Sequence, residues 1–342
     1  MFLDTYLFWF LFGLLIYLFI FDHRVHPLIK IIDLFYRLAL FISVDFNSTK
    51  FNRKYEKFLP VAKPNTKGVK SEKIQVEHDG LSITLYVYKP LNLSEKDSVP
   101  CMIYYHGGGF VMLHPNFLIE DHPCREICKR TNCVVVSVDY SLAPESKWPK
   151  QIDESYAAFK WVLESGHEVL KNVNPEKIYL SGSSAGSNLA TLVTFKAREN
   201  NLVSAINALC VFYPWFCVHP LVESRKKNDW TYMLDSNFVD WAEKCTFGDM
   251  RDRAIKDPKV CPMLNDNFQD LPPVCIVSGS RDILKDEAVL FKKKLKNENI
   301  PVNCKVFQNA THESLGLKWL QSTVAQFDFI EDFLKANDLI EK

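Results

Sequence analysis

The chain has 342 residues, 47% of them hydrophobic, with 41 Lys plus Arg balanced by 41 Asp plus Glu. That length accommodates one large α/β domain with additions, or two small domains, and the apolar share suffices for a sizeable core. A net charge of zero, with no basic stripe, repeat or low-complexity tract, leaves no field to attract nucleic acid, and no such partner is expected.

From Thr5 to Phe21 no residue is charged, and most are Leu, Phe, Ile, Tyr or Trp. As a helix this segment is about 25 Å long, at the short end of what spans a bilayer. No small-residue cleavage site follows, since the segment runs into Phe21-Asp22-His23-Arg24. Residues 1–24 therefore read as an uncleaved single-pass membrane anchor, with membrane contact through residues 5–21. Arg24, Lys30 and Arg37 follow the segment and no Lys or Arg precedes it, which argues for a cytosolic body. N-x-S/T sequons at Asn47, Asn92 and Asn309 permit a lumenal one.

Pro27 to Ser43 is a second apolar stretch, in which Lys30, Asp33 and Arg37 recur at helical spacing. It predicts an amphipathic helix suited to a membrane surface or to lying over a pocket. Phe46 to Lys73 is polar and basic, with Pro60 and Pro64, and reads as linker and lid. Residues 25–75 are thus expected to form N-terminal cap and linker, and residues 76–342 the main domain. Ile74 to Val76 and Leu81 to Tyr88 flank His78-Asp79-Gly80, the signature of a hairpin.

Short apolar runs then alternate with helical patterns. Cys101 to Tyr105, Val134 to Val138, Ile178 to Leu180, Leu209 to Tyr213, Val274 to Ser278 and Cys304 to Phe307 are continuous rather than alternating. Such runs mark strands buried on both faces, as in parallel sheets. Ile152, Tyr156, Phe159 and Leu163 form one apolar helix face between them, and Leu317, Leu320, Val324 and Phe327 form another near the C-terminus. The predicted fold is a mostly parallel sheet covered by helices on both sides. Trp215 to Pro262 breaks the rhythm, being aromatic, charged and too long for an ordinary connection. It reads as a helical cap inserted at about 215–262, packing with the N-terminal amphipathic segment.

The ten cysteines include no C-x-x-C pair. Cys124, Cys128 and Cys133 lie close together, but two fall on a helix and one opens a strand, so buried hydrophobes are expected rather than a metal site. One or two disulfides are compatible with an oxidising compartment, and the sequence does not pair them.

Two motifs carry the chemistry. Gly182-Ser183-Ser184-Ala185-Gly186 is a G-x-S-x-G elbow between the strand Ile178 to Ser181 and a helix over Ser187 to Lys196. It makes Ser184 the nucleophile, with Ala185 donating its backbone N–H to an oxyanion. His106-Gly107-Gly108-Gly109 follows the strand Cys101 to Tyr105. Gly107, Gly108 and Gly109 bring unhindered N–H groups toward a carbonyl oxygen as it gains charge, and His106 supports the loop through hydrogen bonds. No Walker lysine or Rossmann acidic partner accompanies the glycines, so a phosphate cradle does not fit.

A serine needs a base and an orienting acid, which follow in the order Ser, acid, His in hydrolases with this elbow. Asp282 lies in the loop after the strand Val274 to Ser278, whereas Asp286 and Glu287 fall on the next helix. His312 is the only histidine beyond Asp282, in the loop before the final helix, and His219 lies in the cap segment. Ser184, His312 and Asp282 are the expected catalytic set, with no metal or organic cofactor.

The sequence resembles the hormone-sensitive lipase family of α/β-hydrolases, and within it the arylacetamide deacetylase-like branch. The resemblance is carried by His106-Gly107-Gly108-Gly109-Phe110, Asp139-Tyr140-Ser141-Leu142-Ala143-Pro144-Glu145, Asn174-Pro175-Glu176-Lys177-Ile178, the elbow, and Asp282-Ile283-Leu284-Lys285-Asp286, across roughly residues 76–342. It implies an α/β-hydrolase fold, the same triad and oxyanion groups, and a serine esterase acting on lipophilic esters. Amide hydrolysis through the same triad, or ligand binding without turnover as in gibberellin receptors, are the alternatives. Members of this branch face the endoplasmic reticulum lumen, against the flanking-charge argument. The chain departs from the family at Ser183, where Asp is usual, at Ser187, where Gly or Asn is usual, at Ser141, commonly Arg, and at Glu313, usually Gly.

Overall fold

The structure, a computed structural model, describes residues 25–341 apart from 67, 95, 217–221 and 228–231. The expected anchor at 1–24 and His219 lie outside the described residues. Among the described residues no helix is long and apolar enough to cross a membrane.

One nine-stranded sheet organises the chain. In sequence order its strands are β1 (Asn65–Thr66), β2 (Val69–His78), β3 (Leu81–Pro90), β4 (Val99–Tyr105), β5 (Val134–Asp139), β6 (Val173–Ser183), β7 (Ile206–Phe212), β8 (Val274–Arg281) and β9 (Val302–Thr311). Their spatial order is β1-β2-β3-β5-β4-β6-β7-β8-β9. From β5 to β9 every pairing is parallel, and β1 to β3 add an antiparallel margin. The hairpin between β2 and β3 turns at Asp79 (φ 52°) and Gly80 (φ 73°), the paired left-handed conformations that a two-residue turn needs to match strand twist. β2 begins at Val69, inside the stretch expected to be linker, because its alternation is masked by the polar residues of an edge-side strand.

The runs of β4 to β8 occupy the buried centre, where side-chain alternation divides them between two layers, whereas the run Cys304 to Phe307 lies on β9, an edge strand that exposes Asn303 and Lys305 and so is not covered on both faces. Cys101, Ile103 and Tyr105 of β4 pack with helices α3 (Lys150–Trp161), α4 (Ala185–Glu199) and α6 (Lys285–Asn297). Met102 and Tyr104 face the opposite layer, with α2 (Leu118–Thr131) and α7 (Gln321–Ala336). The nine cysteines among the described residues are free, and Cys124, Cys128 and Cys133 are buried in this second layer. No described cluster of His, Cys, Asp or Glu could hold a metal ion.

One helix differs from expectation. The last helix starts at Gln321, so Leu317 and Leu320 precede it. A tight turn at Ser314–Gly316 interrupts the helical pattern, and Thr323 Oγ1 donates to the carbonyls of Ser314 and Leu317 at 2.6 and 2.9 Å. The two leucines pack instead against Val25 and Ile29. The first helix, α1 (Pro27–Ser43), has its expected bounds. Lys30 and Asp33 are buried, whereas Phe35 and Phe41 are 67% and 82% exposed. Asp33 accepts the Met233 N–H at 2.8 Å, and Arg37 bridges Asp33 and Asp235 at 2.8 and 3.2 Å. The charged stripe is thus used to hold the 215–262 insertion.

That insertion contains α5 (Ser236–Phe247). Trp241 of α5 stacks edge-on against Phe46 and Phe51 and donates its indole N–H to the Ser48 carbonyl at 3.0 Å. Arg53 fastens the same N-terminal stretch to the domain below, donating to the carbonyls of Val111 and Ala143 and to Glu145.

Candidate active site

The parallel strands deliver their C-terminal ends to one edge, where ligands bind in open α/β sheets. His106 follows β4, Ser184 follows β6, Asp282 follows β8 and His312 follows β9. Each lies in a loop rather than within an element, so its side chain is free of the ladder.

Ser184 adopts φ 51° and ψ −116°, a strained conformation held by surrounding contacts. Its N–H donates to the Phe212 carbonyl at 2.9 Å, and α4 starts at the next residue. The flanking glycines are required by close approach: a Cβ on Gly182 would run into the Gly186 carbonyl, and one on Gly186 into the Tyr105 carbonyl. Ser187, a departure from the family pattern, ties the elbow to its neighbour. Its hydroxyl donates to the Gly182 carbonyl at 2.7 Å and accepts the Phe212 N–H at 3.1 Å.

The structure brings Ser184, His312 and Asp282 into one line. His312 Nε2 lies 2.9 Å from Ser184 Oγ, and its Nδ1 lies 2.8 Å from Asp282 Oδ2. Asp282 is fully buried and its other oxygen accepts the Leu284 N–H at 2.8 Å, which fixes the carboxylate plane. Burial alone would push the His312 imidazole down, but the Asp282 carboxylate outweighs it and raises the ring above its ordinary value. This arrangement can move the serine proton to Nε2 and stabilise the resulting imidazolium at Nδ1. Asp286 and Glu287 are directed elsewhere: Asp286 accepts the Ser224 N–H, and buried Glu287 accepts that of Phe216, anchoring the insertion.

The glycine loop divides by role. Gly107, expected among the oxyanion donors, gives its N–H to Glu120 Oε1 at 2.8 Å and points into the protein. It is therefore removed from that set. The N–H groups of Gly108 and Gly109 have no partner among the described residues, and that of Ala185 is an unpaired first-turn amide of α4. Gly108 and Gly109 line the same cavity as Ser184. His106 is buried, stacked on Tyr140 at 4.2 Å, with Nδ1 2.8 Å from the Gly107 carbonyl. Burial pushes its imidazole down to about 4, so it is a neutral donor bracing the loop.

A cavity of about 1120 Å³ opens over Ser184 and His312. Gly108, Gly109 and Trp215 line its base, and its upper walls come from α1 (Phe35, Leu38, Ile42) and α5 (Phe238). The walls are predominantly apolar.

Residues 102–315 match the family defined by the alpha/beta hydrolase fold. The chain belongs to that family. Among its relatives, Esterase LipI of Mycobacterium tuberculosis is 29% identical over 230 residues, covering 67% of this chain and 70% of LipI. The gibberellin receptor GID1B of Arabidopsis thaliana is 30% identical over 247 residues, covering 69% and 64%. The solved hyperthermophilic esterase from Pyrobaculum calidifontis superimposes with a TM-score of 0.76 at 25% identity, over 92% of this chain and 99% of that one. This alpha/beta hydrolase is thus of the esterase type. Glu120, buried under the glycine loop, had no signal in the sequence, because its helix reads only as a charged stretch.

Proposed function

We propose that this alpha/beta hydrolase is a membrane-associated serine hydrolase cleaving carboxylic esters of lipophilic substrates, of the arylacetamide deacetylase-like branch. Ser184 attacks the acyl carbonyl to give an acyl-enzyme while His312 takes its proton and passes it to the leaving alcohol. Asp282 keeps the imidazole in the productive tautomer. Gly108, Gly109 and Ala185 stabilise each tetrahedral intermediate, and water then repeats the sequence to release the acid. The observation that carries this reading is the unbroken line Ser184 Oγ to His312 Nε2 at 2.9 Å and His312 Nδ1 to Asp282 at 2.8 Å.

The substrate class rests on the cavity. An apolar space of about 1120 Å³ over the nucleophile is larger than an acetyl ester needs and matches the size of sites for drug-sized ligands. The membrane reading rests on the apolar segment 5–21 and on α1, which exposes Leu34 and Phe41 while Lys30 and Asp33 are buried. Isolated exposed apolar residues need no explanation, but a contiguous patch points to a docking surface. An acylglycerol or sterol ester could then pass from the lipid phase along α1 into the cavity.

Ser184→Ala tests the chemistry. Hydrolysis of p-nitrophenyl esters should fall by about 10⁴-fold or more, and covalent labelling by a fluorophosphonate probe should vanish. Retention of both would overturn the assignment. A ligand-binding role without turnover predicts an unlabelled wild-type protein in the same assay.

A further inference from the structure

Resting on the hydrolase reading above, we propose that Glu120 and Glu313 act as one carboxylate pair beneath the oxyanion loop. The pair holds a single proton while the enzyme is active, and loss of that proton at alkaline pH switches turnover off.

Two departures from the family pattern, Ser183 and Glu313, are far apart in the chain but meet here. Ser183 Oγ lies 3.2 Å from both carboxylate oxygens of Glu120. Glu120 also accepts the Gly107 N–H at 2.8 Å and the Tyr104 hydroxyl at 3.0 Å. Glu313 approaches from the opposite side, with Oε1 3.8 Å from His312 Nε2 and Oε2 3.4 Å from the Tyr213 hydroxyl. Both carboxylates press on one bare Cα. A Cβ on Gly107 would lie 2.8 Å from Glu313 Oε1, 2.9 Å from Glu120 Oε1 and 3.0 Å from Ser183 Oγ. Glycine here leaves room for the pair.

Backbone strain supplies an independent observation. Glu313 has φ 58°, the left-handed region, where a residue other than glycine, Asn or Asp is uncommon and costs about 1–2 kcal/mol. A glutamate kept in that conformation, 7% exposed and beside the catalytic histidine, points to a use for its carboxyl.

Two carboxylates so placed cannot both ionise at little cost, because neither is solvated and each repels the other. Burial, followed by the Glu313 charge, pushes Glu120 up to about 8, and burial raises Glu313 against the pull of His312. The other groups facing the pair are Tyr104 of β4, Tyr140 after β5, Tyr213 after β7, Asp282 after β8, and Cys124 and Asp121 of α2. Burial holds the tyrosines and Cys124 neutral, and Asp121 is paired with Arg125 at 2.7 Å.

With one proton shared, the pair anchors Gly107 and leaves Gly108 and Gly109 free to receive the oxyanion. Release of that proton to solvent adds a second negative charge directly beneath the loop. The added charge repels the developing oxyanion, and the two carboxylates repel each other, loosening the loop. Glu313 is a positioning residue in this scheme, acting through Gly107 and His312.

The test uses full-length protein and the pH profile of kcat/KM for p-nitrophenyl butyrate, together with infrared titration of the carboxyl carbonyl stretch. Wild type should lose activity at least tenfold through an alkaline limb centred near pH 8, and a buried protonated-carboxyl band should disappear over the same range. E313Q should move that limb and the loss of the band together to lower pH, because the Glu313 charge that adds to burial in raising Glu120 is gone. E120Q, read the same way, serves if E313Q does not fold. A flat alkaline profile in wild type, or a limb unchanged in both variants, would overturn the proposal. Absence of turnover and of fluorophosphonate labelling at every pH would overturn the hydrolase reading instead. The infrared band would still report whether the pair shares a proton.

Discussion

Below the cavity, Ser184 and Asp282 follow strands buried on both sides and His312 follows the edge strand β9, and their polar atoms are hydrogen-bonded to one another. Above it, Tyr36 of α1 meets Phe238 of α5 edge-on, and α1 turns Leu34 and Phe41 to the outside. The floor is over-determined. Each catalytic side chain is fixed by a strand end, a hydrogen bond and close packing, so its geometry cannot drift. The roof is held by fewer specific bonds, such as those of Arg37, Arg53 and Trp241. Chemistry therefore belongs to the floor, and substrate choice to the roof. Elements that move to admit ligands are commonly drawn from the less stable parts of a fold.

The largest effect should come from breaking the floor. Asp282→Asn leaves the shape but removes the charge that orients and lifts His312, and kcat should fall by about 10⁴-fold. The pH profile checks the cause. Turnover needs neutral His312, and Asp282 raises the imidazole, so wild-type kcat/KM should fall as pH drops through a value above 6.5. In Asp282→Asn that acid limb should move to lower pH. An unmoved limb would show that the carboxylate does not set the base.

An intermediate effect is expected at the roof. Phe41 is 82% exposed, so Phe41→Asp should leave the fold intact. It should reduce co-sedimentation with phosphatidylcholine vesicles, and slow hydrolysis of an ester embedded in them, by about three- to tenfold, while a soluble acetyl ester is turned over as before. Equal loss on both substrates would blur the division between floor and roof.

The smallest effect should appear where the two meet. Arg53→Ala removes the donors to Val111, Ala143 and Glu145 and should cost about 1–2 kcal/mol, read as a lower midpoint in thermal unfolding. Acetyl ester turnover should change less than twofold.

The single sequence was enough to read the central strands, because a run of Val, Ile and Leu between turn signals has few places to go other than a sheet covered on both faces. Ser184, Asp282 and His312 were legible for a related reason. Each follows a strand of the parallel set, so the topology carries all three to one edge. The orientation of α1 was not legible. Lys30, Asp33 and Arg37 mark a polar stripe, but only the insertion carrying Met233 and Asp235 gives Asp33 a buried donor and Arg37 a second carboxylate. Gly107 was misread as an oxyanion donor because a glycine's N–H direction depends on its partner, and Glu120 comes from a different element. Likewise Ser183 and Glu313 stood out in the sequence as unrelated departures. Their meeting at Gly107 is a property of two loops, a strand end and a helix brought together, which local pattern cannot encode because it depends on distances between residues remote in the chain.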